Sequence, residues 1–187
     1  MTDELGKQAL APRQQREREY YDQYSQRQKD TARVNLGPIS GKEHRPWNPY
    51  WHFFALVKER FRPGACLLDF GCGWGDNTAV FARIGYQVEG FDISERNLEV
   101  ARQLAASAGV ANQVHFGVQT AESLDYSDGQ FDVVAGVDIL HHVEIPRAIA
   151  ECRRVLRPGG VAFFIEPLMN PLFDTVRNTR LVQRFWP

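Results

Sequence analysis

A strand-like apolar run that enters three alternating glycines constrains the fold of this chain most strongly. Residues 65–70 are mostly apolar, Gly71, Gly73 and Gly75 follow, and a helix-like segment begins near residue 77. Glycines between a buried strand and a helix permit positive φ and let the backbone approach a ligand closely. The pattern predicts a strand–turn–helix unit with a ligand site at the turn.

The alternation of strands and helices continues to residue 165. Four further strands are predicted at residues 86–91, 114–118, 131–136 and 161–165, and helices are predicted at residues 77–84, 95–107 and 146–156. Helices of this length between apolar strands are typical of a parallel sheet that is covered on both faces. We therefore expect a Rossmann-like, doubly wound α/β fold with a ligand crevice at the carboxyl ends of the strands, where the strand order reverses.

The N-terminal residues differ in texture from the rest. Residues 1–46 are polar and are interpreted as a helical extension, whereas residues 47–187 form the Rossmann-like domain. Tyr20 and Tyr24 lie one helical turn apart in a segment with almost no aliphatic side chains. This segment is either a solvated helix or a lid whose tyrosines cover a ligand.

Glycine and proline predict a loop over residues 35–49, and a helix over residues 48–61 follows it. Asn48 is the expected N-cap of that helix, with Pro49 at its first position.

Composition disfavours several classes of protein. The chain has 22 Lys and Arg against 23 Asp and Glu, a net charge of −1, which disfavours a nucleic-acid partner. No apolar run has the length of a transmembrane segment, and the N-terminus lacks the apolar core of a signal peptide. Cys66, Cys72 and Cys152 have no metal-ligand spacing, so we expect reduced thiols in a cytoplasmic protein without a metal site.

Acidic residues indicate the chemistry of the ligand. Asp92 ends the second predicted strand, 21 residues after Gly71, where an acid binds ribose hydroxyls in nucleoside-binding sheets; capping before Ser94 is the alternative. Asp69 suits a ligand with an ammonium group. Asp76 stands where the dinucleotide fingerprint requires its last glycine, and its charge repels a pyrophosphate. This disfavours a nicotinamide-dependent reductase.

Four stretches, taken together, resemble the class I S-adenosylmethionine-dependent methyltransferases. Residues 67–75 resemble their first motif, residues 88–94 their acidic second strand, residues 131–143 their fourth strand with its Leu-His-His sequence, and residues 154–161 the turn into their fifth strand. The resemblance implies transfer of a methyl group from S-adenosylmethionine to a small molecule by in-line displacement, with S-adenosylhomocysteine as product. A fragment or module that binds the cofactor without catalysis is the alternative.

The resemblance also implies roles for single residues. The expected cofactor-binding set comprises Asp69, Gly71, Gly73, Gly75, Asp92, Ile93, Thr120, Ala121, Glu122, Gly136 and Val137. Within it, Asp69 lies near the amino group, Asp92 binds the ribose, and Gly136 and Val137 border the methionine tail. The family usually has an aspartate where this chain has Thr120, which leaves the contact to adenine N6 open.

Two adjacent histidines follow the fourth strand, near the expected position of the methyl group. His141 is the candidate general base, and packing or orientation of the loop is the alternative for both histidines. The residues expected on the substrate side are Tyr20, Tyr21, His44, His142 and Glu166.

The family sheet has seven strands, of which five are evident here. Residues 171–187 fit one helix better than two strands. We therefore expect the last two family strands to be missing and the domain to be incomplete at its C-terminal end. The fifth strand is then an apolar edge, which the last helix or a second copy in a homodimer covers.

Overall fold

Five parallel strands form one sheet in the computed structural model, which describes residues 10–28, 32–40 and 48–167. The strands are β1 (Cys66–Phe70), β2 (Gln87–Asp92), β3 (Val114–Val118), β4 (Phe131–Val137) and β5 (Leu156–Ile165). Their order in the sheet is β3-β2-β1-β4-β5. The predicted α/β class with a Rossmann-like sheet is confirmed.

The strand order reverses between β1 and β4. The chain proceeds outward from β1 to β2 and β3, and then returns to the other side of β1 to form β4 and β5. Asp69 of β1 pairs with Gly90 of β2 and with Ala135 of β4. A crevice therefore opens beyond the carboxyl ends of these strands.

Six helices occur among the described residues: α1 (Pro12–Gln28), α2 (Gly37–Ser40), α3 (Pro49–Glu59), α4 (Asp76–Ile84), α5 (Glu95–Ser107) and α6 (Ile145–Val155). Asn48 caps α3 by accepting the N–H of Tyr50 at 2.9 Å, as the sequence predicts. Ser94 caps α5 through the N–H of Asn97 at 3.1 Å. None of these helices is long and apolar enough to cross a membrane.

The structure differs most from the sequence-based expectation at two places. The predicted loop over residues 35–49 contains the short helix α2, where Pro38 supplies a φ suited to a first helical turn. Strand β5 begins at Leu156, five residues earlier than predicted, because Leu156 already pairs with Phe131. The register shifts before Val161 pairs with Val133.

Apolar side chains pack on both faces of the sheet. One cluster includes Phe53, Val57, Phe81 and Tyr86, from α3, α4 and the residue before β2. The other includes Leu68, Phe70, Phe131 and Ala148, from β1, β4 and α6. These clusters fix the positions of the strand ends around the crevice.

Helix α1 is held to the rest of the protein by polar contacts. Ser25 is buried and donates a hydrogen bond to the Asn97 side chain of α5. Ser94, the cap of α5, donates to Asp22. The predicted helix over residues 171–187, on which the expected loss of two strands rests, lies outside the described residues.

Candidate functional site

The crevice has a volume of about 490 Å³ and is bounded by the strand ends, α1 and α3. Eight of the predicted cofactor-binding residues line it, namely Gly71, Gly73, Asp92, Ile93, Thr120, Ala121, Glu122 and Val137. The reversal of strand order and the glycine-rich turn therefore meet at one place, as expected.

The two glycines at the turn have different roles. Gly73 has a φ of 53°, and a Cβ built there meets no heavy atom of the described residues within 4 Å. Gly71 has a φ of 74°, and a Cβ there lies 2.5 Å from Ile139 Cδ1. Gly73 thus leaves space for a ligand, whereas Gly71 makes room for Ile139.

Asp92 is fixed by three hydrogen bonds at the floor of the crevice. Oδ1 accepts the N–H of Ser94 at 2.9 Å and the amide of Asn97 at 3.0 Å, and Oδ2 accepts the N–H of Gly73 at 3.1 Å. Burial raises the pKa of Asp92, and these hydrogen bonds oppose the shift. The carboxylate is therefore held in one orientation before any ligand binds.

Three predicted cofactor-binding residues do not line the crevice. Asp69 is buried and accepts a hydrogen bond from Thr78 of α4, and burial raises its pKa to about 7. A Cβ at Gly75 lies 2.7 Å from that of Ala101, and a Cβ at Gly136 lies 2.5 Å from Phe164. Asp69 thus binds a helix side chain and the two glycines permit close packing, and the contact of all three residues with a cofactor stays a prediction.

Glu122 connects helix α1 to the crevice. It forms an ion pair with Arg13 and accepts hydrogen bonds from the Gln14 side chain at 2.9 Å and the N–H of Glu144 at 2.8 Å. Burial acts to raise the pKa of Glu122, but these hydrogen bonds outweigh it and lower that pKa. The carboxylate is engaged by the protein on several sides.

His142 is the histidine that lines the crevice. Its Nε2 lies 2.9 Å from the Tyr21 hydroxyl, and its Nδ1 lies 3.1 Å from Glu17 Oε2. The Arg13 guanidinium also donates to the His142 carbonyl oxygen. Burial, followed by the charge of His141, lowers the pKa of His142, and Glu17 opposes the shift.

His141 and Glu166 form a pair outside the crevice lining. His141 Nδ1 lies 2.6 Å from Glu166 Oε2, and 46% of the His141 side chain is exposed. Oε1 of Glu166 accepts the N–H groups of Ile139 and Leu140 at 2.9 and 2.7 Å. Burial acts to raise the pKa of Glu166, but the His141 and backbone hydrogen bonds lower it. The catalytic role of His141 and the substrate contact of Glu166 stay predictions.

The two predicted tyrosines are placed differently. Tyr21 lines the crevice, and burial raises its pKa to about 12. Tyr20 is 61% exposed and does not line it. The Tyr20 ring stacks on Tyr24 with centroids 6.1 Å apart, and Tyr24 packs against Trp74 at 5.7 Å. His44 lies outside the described residues.

Sequence reasoning missed several lining residues, notably Arg13, Gln14, Glu17, Tyr50, Asn97, Gln119 and Asp138. The Tyr50 hydroxyl of α3 donates to Asp138 Oδ2 at 2.8 Å. Asp138 directly follows a buried strand, as an acid in a binding crevice often does, so a signal for it was present. The α1 residues carry no comparable signal. No group of three metal-binding side chains occurs among the described residues.

A protein-family model described as "Methyltransferase domain" matches residues 68–164. "Ubiquinone biosynthesis O-methyltransferase" of Mesorhizobium japonicum is 40% identical over 101 residues, which cover 54% of this chain and 40% of that protein. The protein of the same name from Idiomarina loihiensis is 40% identical over 151 residues, covering 73% of this chain and 61% of that protein. The chain thus matches less than two thirds of the length of either relative.

Among solved structures, the crystal structure of the [4+2]-cyclase SpnF has a TM-score of 0.66 and 29% identity, and covers 83% of this chain and 61% of that chain.

Proposed function

Because the chain belongs to the methyltransferase domain family, we propose that it binds S-adenosylmethionine in the crevice and transfers the methyl group to an oxygen of a small molecule. The choice of oxygen rests on the two relatives described above, which are named O-methyltransferases. A small-molecule acceptor is in keeping with a crevice of about 490 Å³.

The observation that carries the proposal is the cradle formed by Gly73 and Asp92. The Gly73 N–H donates to Asp92 Oδ2, and the space beside Gly73 is free of described atoms. A glycine that opens into a crevice next to a fixed buried carboxylate suits a nucleoside, whose ribose hydroxyls are donors. Ile93 and Ala121 supply apolar surface beside it for a base.

When bound, S-adenosylmethionine supplies a methyl group that is already activated on a sulfonium sulfur. The protein then contributes alignment and exclusion of water, which are worth roughly 7–11 kcal/mol in favourable cases. Helix α1 lies over the crevice through Arg13, Glu17 and Tyr21, which line it. Polar contacts of Arg13 and Gln14 with Glu122, and of Tyr21 with His142, hold it there.

A hydroxyl acceptor must lose its proton, and we infer that His142 takes it. His142 lines the crevice, and its lowered pKa favours the neutral imidazole near pH 7. A carboxylate accepts only, so Nδ1 donates to Glu17 and Nε2 is the accepting nitrogen. Because Tyr21 contacts Nε2, the proton reaches His142 either through the Tyr21 hydroxyl or after Tyr21 moves aside.

The test uses two glycines that differ in their surroundings. Gly73 and Gly109 both have positive φ, and a Cβ meets no described atom within 4 Å at either site, but only Gly73 lines the crevice. Gly73→Ala and Gly109→Ala therefore share the backbone strain. We expect Gly73→Ala to weaken S-adenosylhomocysteine binding at least about tenfold in calorimetry and Gly109→Ala to leave it unchanged. Equal affinities in the two variants would contradict the cradle.

The acceptor atom is tested in the same preparation. S-adenosylhomocysteine release from S-adenosylmethionine is measured with phenol, catechol, aniline and thiophenol as acceptors. The proposal predicts turnover with the hydroxylated compounds. The similarity to a structure named as a cyclase favours a second candidate, a cofactor-binding protein that does not transfer methyl groups. That candidate is supported if the protein binds added S-adenosylhomocysteine tightly but forms none from S-adenosylmethionine with any of the four acceptors.

We further propose a cytoplasmic location and a homodimer. The location is supported by Cys66, Cys72 and Cys152, which are free thiols in the structure. The dimer is supported by the position of β5 at one end of the described sheet, where its outer edge has no strand neighbour among the described residues. Sedimentation velocity tests the dimer, and a monomer at all concentrations would contradict it.

A further inference from the structure

The crevice wall formed by the end of β4 carries an acid with an unused oxygen. Asp138 follows β4 directly and lines the crevice. Its Oδ2 accepts the Tyr50 hydroxyl at 2.8 Å. Its Oδ1 is buried and has no hydrogen-bond partner within the described part of the chain. A buried polar atom without a partner is costly, so this oxygen requires a donor that the described residues do not provide.

The backbone at Asp138 is also held in an uncommon conformation. Asp138 is the one non-glycine residue with positive φ among the described residues, at 53°. Its N–H donates to the Ile165 carbonyl oxygen of β5 at 2.9 Å, which helps to hold it there. Residues kept in such conformations cluster at ligand sites. The strain and the unpaired oxygen therefore occur at the same residue.

The position of Asp138 separates it from the ribose site. Asp92 ends β2 and Asp138 follows β4, and these strands flank β1 on opposite sides. Two strand spacings place their ends roughly 10 Å apart. The acid expected near an ammonium group, Asp69, instead binds Thr78 and does not line the crevice. Asp138 does line the crevice, on the β4 side of β1 and away from Asp92.

We propose that Asp138 Oδ1 accepts a hydrogen bond from a donor group of the ligand bound in the crevice, an inference that rests on the proposed function. Two groups have the required chemistry: the ammonium at the amino-acid end of the cofactor and the hydroxyl of the methyl acceptor. Hydrogen bonds to a carboxylate are stronger than neutral ones, so Asp138 contributes to both affinity and orientation.

Asp138→Asn isolates the free oxygen. Asparagine tolerates positive φ as aspartate does, and its carbonyl oxygen still accepts the Tyr50 hydroxyl. Its amide nitrogen takes the place of Oδ1, so the variant presents an N–H donor to the donor group of the ligand. We therefore expect an unchanged melting temperature without ligand. Asp125→Asn is the matched control, because Asp125 is exposed and does not line the crevice.

Three calorimetric titrations identify the source of the donor. The probes are S-adenosylhomocysteine, its analogue without the amino group, and catechol added to protein saturated with S-adenosylhomocysteine. If the ammonium is the donor, Asp138→Asn weakens S-adenosylhomocysteine roughly 10- to 100-fold and leaves the desamino analogue within about twofold of wild type. If the acceptor hydroxyl is the donor, the two nucleosides bind as to wild type and catechol binds at least about tenfold more weakly.

Other results overturn the proposal. Affinities of Asp138→Asn within about twofold of wild type for all three probes mean that Asp138 only holds Tyr50. Equal losses for the two nucleosides mean that the effect is not tied to a donor group. Wild-type protein that binds no S-adenosylhomocysteine contradicts the proposed function, and this is seen before any variant is compared.

Discussion

Ser25 of helix α1 and Asp92 of β2 bind the same side chain. The Asn97 amide donates to Asp92 at 3.0 Å, while its carbonyl oxygen accepts the Ser25 hydroxyl. Asn97 thus connects the helix over the crevice to the carboxylate at its floor. A ligand that binds Asp92 and fixes Asn97 also stabilises the attachment of α1.

Binding of S-adenosylhomocysteine should therefore slow amide exchange in α1 (Pro12–Gln28). The helix has few apolar contacts, so its polar attachments limit its local opening. Hydrogen exchange with mass spectrometry, with and without the ligand, measures the change. Ser25→Ala removes the bond to Asn97 and should reduce the protection gained. Equal exchange in α1 with and without the ligand would reject its role as a lid.

Much of the fold follows from local sequence signals, whereas several site contacts do not. The caps Asn48 and Ser94 and the bounds of β3 are set by neighbouring residues, and the structure has them as predicted. Arg13 meets Glu122 across 109 positions of sequence. The hydrophobic periodicity of a sequence does not encode such a polar contact, because the contact depends on how two distant segments pack in the folded chain.

Asp69 shows a second limit of sequence reasoning. Its strand and its acidity are evident from the sequence, but the direction of its side chain depends on strand alternation and on Thr78 of α4. It pairs within the sheet with Gly90 and Ala135, before the strand ends. A carboxyl group at that register faces a helix instead of the crevice.

This placement makes stability depend on pH. Burial raises the pKa of Asp69 from 3.8 to about 7. The folded state then binds the Asp69 proton more tightly than the unfolded state does. The resulting contribution to the stability of the fold is fully present below about pH 4 and is lost as the pH rises through about 7. Asp69→Asn keeps an acceptor for Thr78 and removes this dependence. Denaturant unfolding measures the free energy of unfolding of both proteins at pH 5 and at pH 8. Between these pH values, wild type should lose on the order of 2 kcal/mol more of this free energy than Asp69→Asn. If the unfolding free energies of the two proteins change with pH in parallel, burial does not raise the pKa of Asp69.

The two histidines should differ in methyl transfer. His142 lines the crevice and His141 does not, so His142→Gln should lower kcat by roughly 10²- to 10⁴-fold on a hydroxylated acceptor. His141→Gln is the matched control and should retain most of the activity. Initial rates of S-adenosylhomocysteine release measure the activity of both variants. A larger loss of activity in His141→Gln would indicate that His141 is the general base.

The pH profile provides an independent check on His142. Burial lowers its pKa below 6.5, and the neutral ring is the form that accepts a proton. The wild-type rate should rise as the pH increases through that lowered pKa and then level off above 6.5. His142→Gln should lack this acidic limb. A limb that persists in His142→Gln belongs to another group.

Titration of S-adenosylhomocysteine into wild type and Asp92→Ala by calorimetry tests the central claim most directly. Asp92 lines the crevice and accepts hydrogen bonds from Gly73, Ser94 and Asn97, which fix the orientation of the carboxylate that we propose binds the ribose hydroxyls. The account predicts one binding site in wild type and a loss of about 1–3 kcal/mol in Asp92→Ala. Absence of binding to the wild-type chain, or equal affinity in the variant, would contradict it.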